Sequence, residues 1–94
     1  MITAIVERRF STEKTENIAR ILIELRRRRQ HSGCLSSETL HSTKDPSLWV
    51  DVSTWTYSDQ WKKWEDTPER KDIQSEIENL QIDSEQVSIF NIIK

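Results

Sequence analysis

Ninety-four residues are enough for one domain, expected to span residues 1–94, and too few for two. With 34% apolar and 32% charged residues the core must be thin, and so small a chain covers its apolar surface poorly when it folds alone, which favours an oligomer. Fourteen Lys+Arg against sixteen Asp+Glu leave a net charge of −2, which offers no general attraction to nucleic acid or to an anionic membrane.

Residues 2–10 read as a strand, with Ile2, Ala4 and Val6 on one side and Ile5 on the other, so its first half is covered on both faces. Glu7-Arg8-Arg9 closes this run before it could cross a membrane, and the run lacks the basic lead of a signal peptide. Thr12 and Thr15 are placed to cap a helix that runs to about Gln30. Ile18, Ile21, Leu22 and Leu25 form its apolar stripe, and Arg29 extends that stripe with its stem packed and its guanidinium in water. Arg26, Arg27, Arg28 and Arg29 point in different directions around the helix, so they make no phosphate clamp; most remain solvated at the negative helix end, where His31 also favours the dipole. Gly33 suits a left-handed turn there. As the one glycine it also excludes the P-loop and the dinucleotide fingerprint, which need several.

Cys34 is the one cysteine, so an internal disulfide is excluded and a reducing, cytoplasmic setting is expected. It reads as a small buried hydrophobe with no adjacent base, and neither His31 nor His41 stands at metal-ligand spacing from it. Cys34 to Ser42 is a second strand, and Ser42 to Ser47 a polar turn around Pro46. Leu48 to Thr56 is the clearest strand, with Leu48, Val50, Val52 and Thr54 on one face and Trp49, Asp51, Ser53 and Trp55 on the other. Ser58 caps a short helix carrying Tyr57, Trp61 and Trp64 along one side. Thr67-Pro68 starts another, with Ile73, Ile77 and Leu80 buried. Ile82 to Glu85 is a linker, and Gln86 to Ile93 a last strand with Val87, Ile89 and Ile93 opposed to Phe90 and Ile92.

Strand–helix–strand–strand–helix–strand with right-handed crossovers gives an α+β, ferredoxin-like βαββαβ sandwich whose helices cover one sheet face. The last strand then lies at an edge, and the uncovered face requires a partner, most economically a second copy of the chain.

Within this frame Gly33-Cys34-Leu35-Ser36-Ser37-Glu38, Asp45-Pro46, Trp55, Ser58, Trp61 and Pro68 resemble the antibiotic biosynthesis monooxygenase family over nearly the whole chain. The resemblance implies a dimeric α+β barrel and a cofactor-independent monooxygenase acting on a small phenol or quinol. The chain departs from the family pattern at Ser53, where Glu is common, at Trp64, where His is frequent, and at Arg70, where an aromatic is usual. Trp64 matches the tryptophan of the related haem-degrading branch. That branch's axial histidine falls on Gln74 and its first-strand asparagine on Arg8, so no haem cofactor is expected.

Trp49, Trp55, Trp61 and Trp64 are candidates for the walls of a pocket for a flat aromatic or hydrophobic ligand, with Ser53 among them; equally, they suit a small core or a dimer seam. Asp51 lies between tryptophans on the same strand face and is a candidate base, or else a structural hydrogen-bond partner. His41, near the hairpin, is a candidate proton acceptor against a default of simple exposure. A non-catalytic homodimer that binds a small ligand, or serves as an interaction module, needs the same pocket without a positioned base.

Overall fold

The computed structural model describes residues Met1–Lys94. Its elements follow in the order β1 (Ile2–Arg9), a 3-10 turn (Thr12–Lys14), α1 (Thr15–Gln30), β2 (Ser36–His41), β3 (Leu48–Trp55), α2 (Ser58–Glu65), α3 (Pro68–Leu80) and β4 (Gln86–Asn91). The strands form one sheet in the order β2-β3-β1-β4 with every neighbouring pair antiparallel, which is the ferredoxin-like βαββαβ topology. No helix is long and apolar enough to cross a membrane.

The strand alternation read from the sequence sets the two faces. Trp49, Asp51, Ser53 and Trp55 are buried beneath the helices, whereas Leu48, Val50, Val52 and Thr54 are only partly covered. In β1 the buried positions are Ile2, Ala4, Val6 and Arg8, so the period of two carries an arginine onto the covered face. The other side of β1 is not sealed: Ile5, opposite Val52 and Ser88, remains partly exposed on the open face.

Helix ends follow local chemistry, with some shifts from expectation. Ser11, not Thr12, caps the 3-10 turn, and α1 begins at Thr15 with Lys14 in the cap position. Tyr57 precedes α2 as its cap, where its N–H donates to the Gln60 side chain, and Ser58 is the first helical residue. Thr67 caps α3 by accepting from the Arg70 N–H, with Pro68 at the first helical position. Gly33 turns the chain out of α1 at φ +92°, the one positive φ in the molecule.

The core lies between the helices and the covered face. Ile18, Leu22 and Leu25 of α1 and Ile73 and Ile77 of α3 meet Ile2, Ala4, Val6 and the four tryptophans. Tyr57 stays out of it, on the surface, unlike Trp61 and Trp64. The open face carries Ile5, Leu40, Val50, Val52 and Phe90, with Phe90 52% exposed. At the β4 edge both faces are uncovered: Val87 and Ile89 pair with Val6 and Ala4 on the helix side, yet the helices do not reach over them.

Ile77 has no exposed surface and seals α3 against the core. Ile77→Ala is expected to cost about 2–5 kcal/mol in urea unfolding. A loss below about 1 kcal/mol would show that α3 is not packed as described.

Candidate functional site

The covered face carries a band of polar side chains through an otherwise apolar layer. Arg8 Nη1 donates to Asp51 Oδ2 at 2.6 Å, with both side chains buried. The hydroxyl of Thr39, which pairs with Asp51 in the β2–β3 register, donates to Oδ1 at 2.8 Å. On its other side Arg8 Nε donates to Glu85 Oε1 at 3.2 Å. That same oxygen accepts from Gln74 at 2.9 Å and Gln81 at 3.1 Å, and Arg70 lies 4.0 Å from the other Glu85 oxygen. The band therefore links β1, β2 and β3 to α3 and to the segment that leads into β4, through two carboxylates.

Arg29 reaches the band from the last turn of α1. Its guanidinium is buried, contrary to the expected reach into water, because Ile18, Leu22, Leu25 and Arg29 form one inward stripe and the side chain follows it down. Its Nη2 is 3.9 Å from Asp51 Oδ1, too far for a hydrogen bond. Burial lowers its pKa, against the opposing charge of Asp51.

The residues singled out from the sequence divide into three groups. Asp51 and Ser53 are 2% exposed: Asp51 is held by Arg8 and Thr39, and Ser53 accepts from the Trp55 indole N–H at 2.9 Å. Trp55, Trp61, Trp64 and Trp49 pack into the core, Trp61 edge-on to Trp55 at 5.9 Å. None of the principal cavities is walled by a tryptophan. His41 is exposed at the end of β2, stacked on Trp49 at 3.9 Å, and its Nε2 lies 2.7 Å from the Pro46 carbonyl. A carbonyl only accepts, so in the neutral ring Nε2 carries the proton and Nδ1 keeps its lone pair. Cys34 is half-buried, with its thiol directed to the Ser36 carbonyl. No group of three or more His, Cys, Asp or Glu side chains converges as metal ligands would.

Sequence reasoning passed over Glu85 and the burial of Arg8 and Arg29. Two signals were available: Arg8 continues the buried alternation of Ile2, Ala4 and Val6, and Arg29 continues the stripe of α1. Nothing in the sequence marked Glu85, which stands in an irregular segment.

The profile of the family described as antibiotic biosynthesis monooxygenase matches residues 1–76. The chain belongs to that family. An antibiotic biosynthesis monooxygenase crystal structure is similar over 100% of both chains, with 19% identity and a TM-score of 0.89. A Nitrosomonas europaea protein described as a candidate member is similar over 100% of both chains, with 16% identity and a TM-score of 0.91. A Mycobacterium tuberculosis protein aligns over 99% of this chain and 95% of its own, at 11% identity and a TM-score of 0.87. No protein of curated function matches the sequence. These likenesses extend the family's fold over the whole length of the chain, at identities where only the fold is transferable.

Three of the positions set apart in the sequence are neighbours here: Arg8 and Gln74 both bond Glu85, and Arg70 faces it. Burial pushes the Glu85 carboxyl up, but the charge of Arg8 and the bonds from Gln74, Gln81 and Arg8 outweigh it and hold the group below its ordinary 4.5. Its contribution to stability is therefore complete above pH 4.5 and disappears as the pH falls through the lower folded value. Glu85→Gln should cost about 1–3 kcal/mol at neutral pH. In urea unfolding the gap between it and the wild type should close as the pH falls below 4.5; a constant gap would mean that the carboxylate is not paired as described.

Proposed function

We propose that this chain is a homodimeric, cofactor-independent monooxygenase that acts on a small phenol or quinol. The observation that carries the reading is the band of buried polar side chains flanked by tryptophans on the covered face of the sheet, in a chain of this family. Indole walls suit a flat ring, and fixed polar groups in a dry layer suit charge that develops on ring oxygen as a proton leaves.

For a phenol the balance is simple. Removing the hydroxyl proton gives an anion with carbanion character at the para carbon, and O2 takes up that electron density to form a C–O bond there. Loss of water from the resulting peroxide leaves a quinone. One oxygen atom enters the product, the other leaves as water, and the ring supplies every electron. His41 is the better proton acceptor, since its Nδ1 lone pair is free at the rim of the layer; Asp51 keeps Arg8 and Thr39 in position, and a substrate that enters must part the packed tryptophans. With a naphthol under oxygen the expectation is one O2 consumed per quinone formed. His41→Gln should lower turnover about 10²–10⁴-fold, with folding and ligand affinity unchanged. Turnover unaffected by that change would remove His41 from the mechanism, and no oxygen uptake across a panel of phenols and quinols would sink the reading.

A second reading, a non-catalytic homodimer that binds a small hydrophobic ligand or serves as an interaction module, is favoured by one observation: Trp55 and Trp64 are fully packed, at 0% and 2% exposure. It predicts an intact dimer with no oxygen uptake.

Both readings require the dimer. Phe90 and Leu40 are each about half exposed on the open face, and burying such side chains is worth roughly 1.5–3 kcal/mol apiece. A second sheet laid over the open face, overlapping the β4 edge, would cover them. Sedimentation at micromolar concentration should give a dimer, and Phe90→Arg a monomer. A monomeric wild type would refute the assembly.

A further inference from the structure

The ion pairs of the covered face do not balance. Arg8, Arg29 and Arg70 face Asp51 and Glu85: three guanidinium cations against two carboxylates, an excess of one positive charge. Glu78 does not correct the count, since it is exposed and bonds only Gln74. Arg8 is satisfied by both carboxylates, and Arg70 is partly exposed and bonds the Glu65 carbonyl. The excess falls on Arg29, which is 2% exposed and whose Nε and Nη2 find no acceptor in the protein. Leaving a guanidinium buried and unbonded is among the more costly arrangements a fold can contain. A second orphan lies on the same sheet face: the buried Ser37 hydroxyl, opposite Ser53 and two pairs along from Thr39 and Asp51, also lacks a partner. Two donors without acceptors therefore share the layer between the end of α1 and the β2–β3 pair.

We propose that Arg29, with the Ser37 hydroxyl, is a receptor for the oxyanion of a monoanionic aromatic ligand, bound as a phenolate or a carboxylate. The proposal rests on the reading of this layer as the ligand site and deepens it, because it requires the ligand to arrive or be held ionised. A single negative charge completes the count of three against three, and an oxyanion offers several lone pairs to the two free guanidinium nitrogens and the hydroxyl. Asp51 is taken up by Arg8 and Thr39 and stands 3.9 Å from Arg29, so the hydrogen-bond donors of Arg29 stay open to the incoming anion.

The test needs no turnover, so it stands apart from the failure of the oxygenase reading. 4-Nitrophenol, whose phenolate is coloured and whose phenol is not, is titrated against the protein without oxygen. Binding at Arg29 should lower the probe's apparent pKa by at least one unit, a tenfold shift toward the phenolate. Arg29→Met, similar in length and uncharged, should weaken anion binding about tenfold to a hundredfold. The same change should raise the Tm of the ligand-free protein, because it removes a buried guanidinium whose donors find no acceptor in the protein. A guanidinium with a merely structural role would make Arg29→Met less stable. Benzoate and 4-nitrophenolate, each assayed by its stabilisation of the wild type, separate the carboxylate from the phenolate, and either one alone upholds the site. An unshifted probe, no binding by either anion, or a lowered Tm in Arg29→Met with binding intact would overturn the proposal.

Discussion

The buried pair of Arg8 and Asp51 joins the two central strands, and the remaining polar band is built outward from it. Through Thr39 it reaches β2, and through Glu85 it reaches the start of β4 and, by way of Gln74, α3. Two ions are expensive to strip of water, and such a pair survives in a core only when further hydrogen bonds use up its spare donors and lone pairs. Here those bonds come from three strands of the sheet, from one helix and from the segment that leads into β4. Removing one partner of such a pair typically costs about 3–5 kcal/mol, a large share of the net stability of so small a domain.

Around that band the apolar chemistry is arranged to keep water out. The four tryptophans are all buried, and Trp55 turns its indole N–H onto Ser53, so that this donor is not left bare. A core with so few aliphatic residues needs large side chains to fill the space beneath three short helices, and indoles supply that volume. The same packing leaves the opposite side of the sheet untouched. A two-layer fold of this size has helices enough for one face only, so Ile5, Val50, Val52 and Phe90 meet solvent in the isolated subunit.

The family fold is retained, and of the five positions set apart from the pattern of the family or of its haem-degrading relatives, four lie in or beside the polar band. Arg8, Arg70 and Gln74 surround Glu85, and Ser53 bonds Trp55. Once a cation occupies the first-strand position, a carboxylate has to come within reach of it, and the amides of Gln74 and Gln81 then satisfy what remains of that carboxylate.

Periodicity along the chain determined the elements, because a side chain's face in a strand or helix depends only on its spacing from its neighbours. The alternation of Leu48 to Trp55, the stripe of Ile18 to Leu25, the cap at Thr67-Pro68 and the turn at Gly33 were legible for that reason, and with them the βαββαβ order and the uncovered face. Which charges meet was decided only by the tertiary structure. Arg8, Asp51 and Glu85 are separated by 43 and 77 positions in the bonds they make, and no local rule connects them. Nor could spacing alone show that Arg29 ends beneath the surface, since a long side chain on an apolar stripe is equally able to bend out to water. That choice depends on how closely α1 lies against β2, a property of the packed layers and not of any one segment.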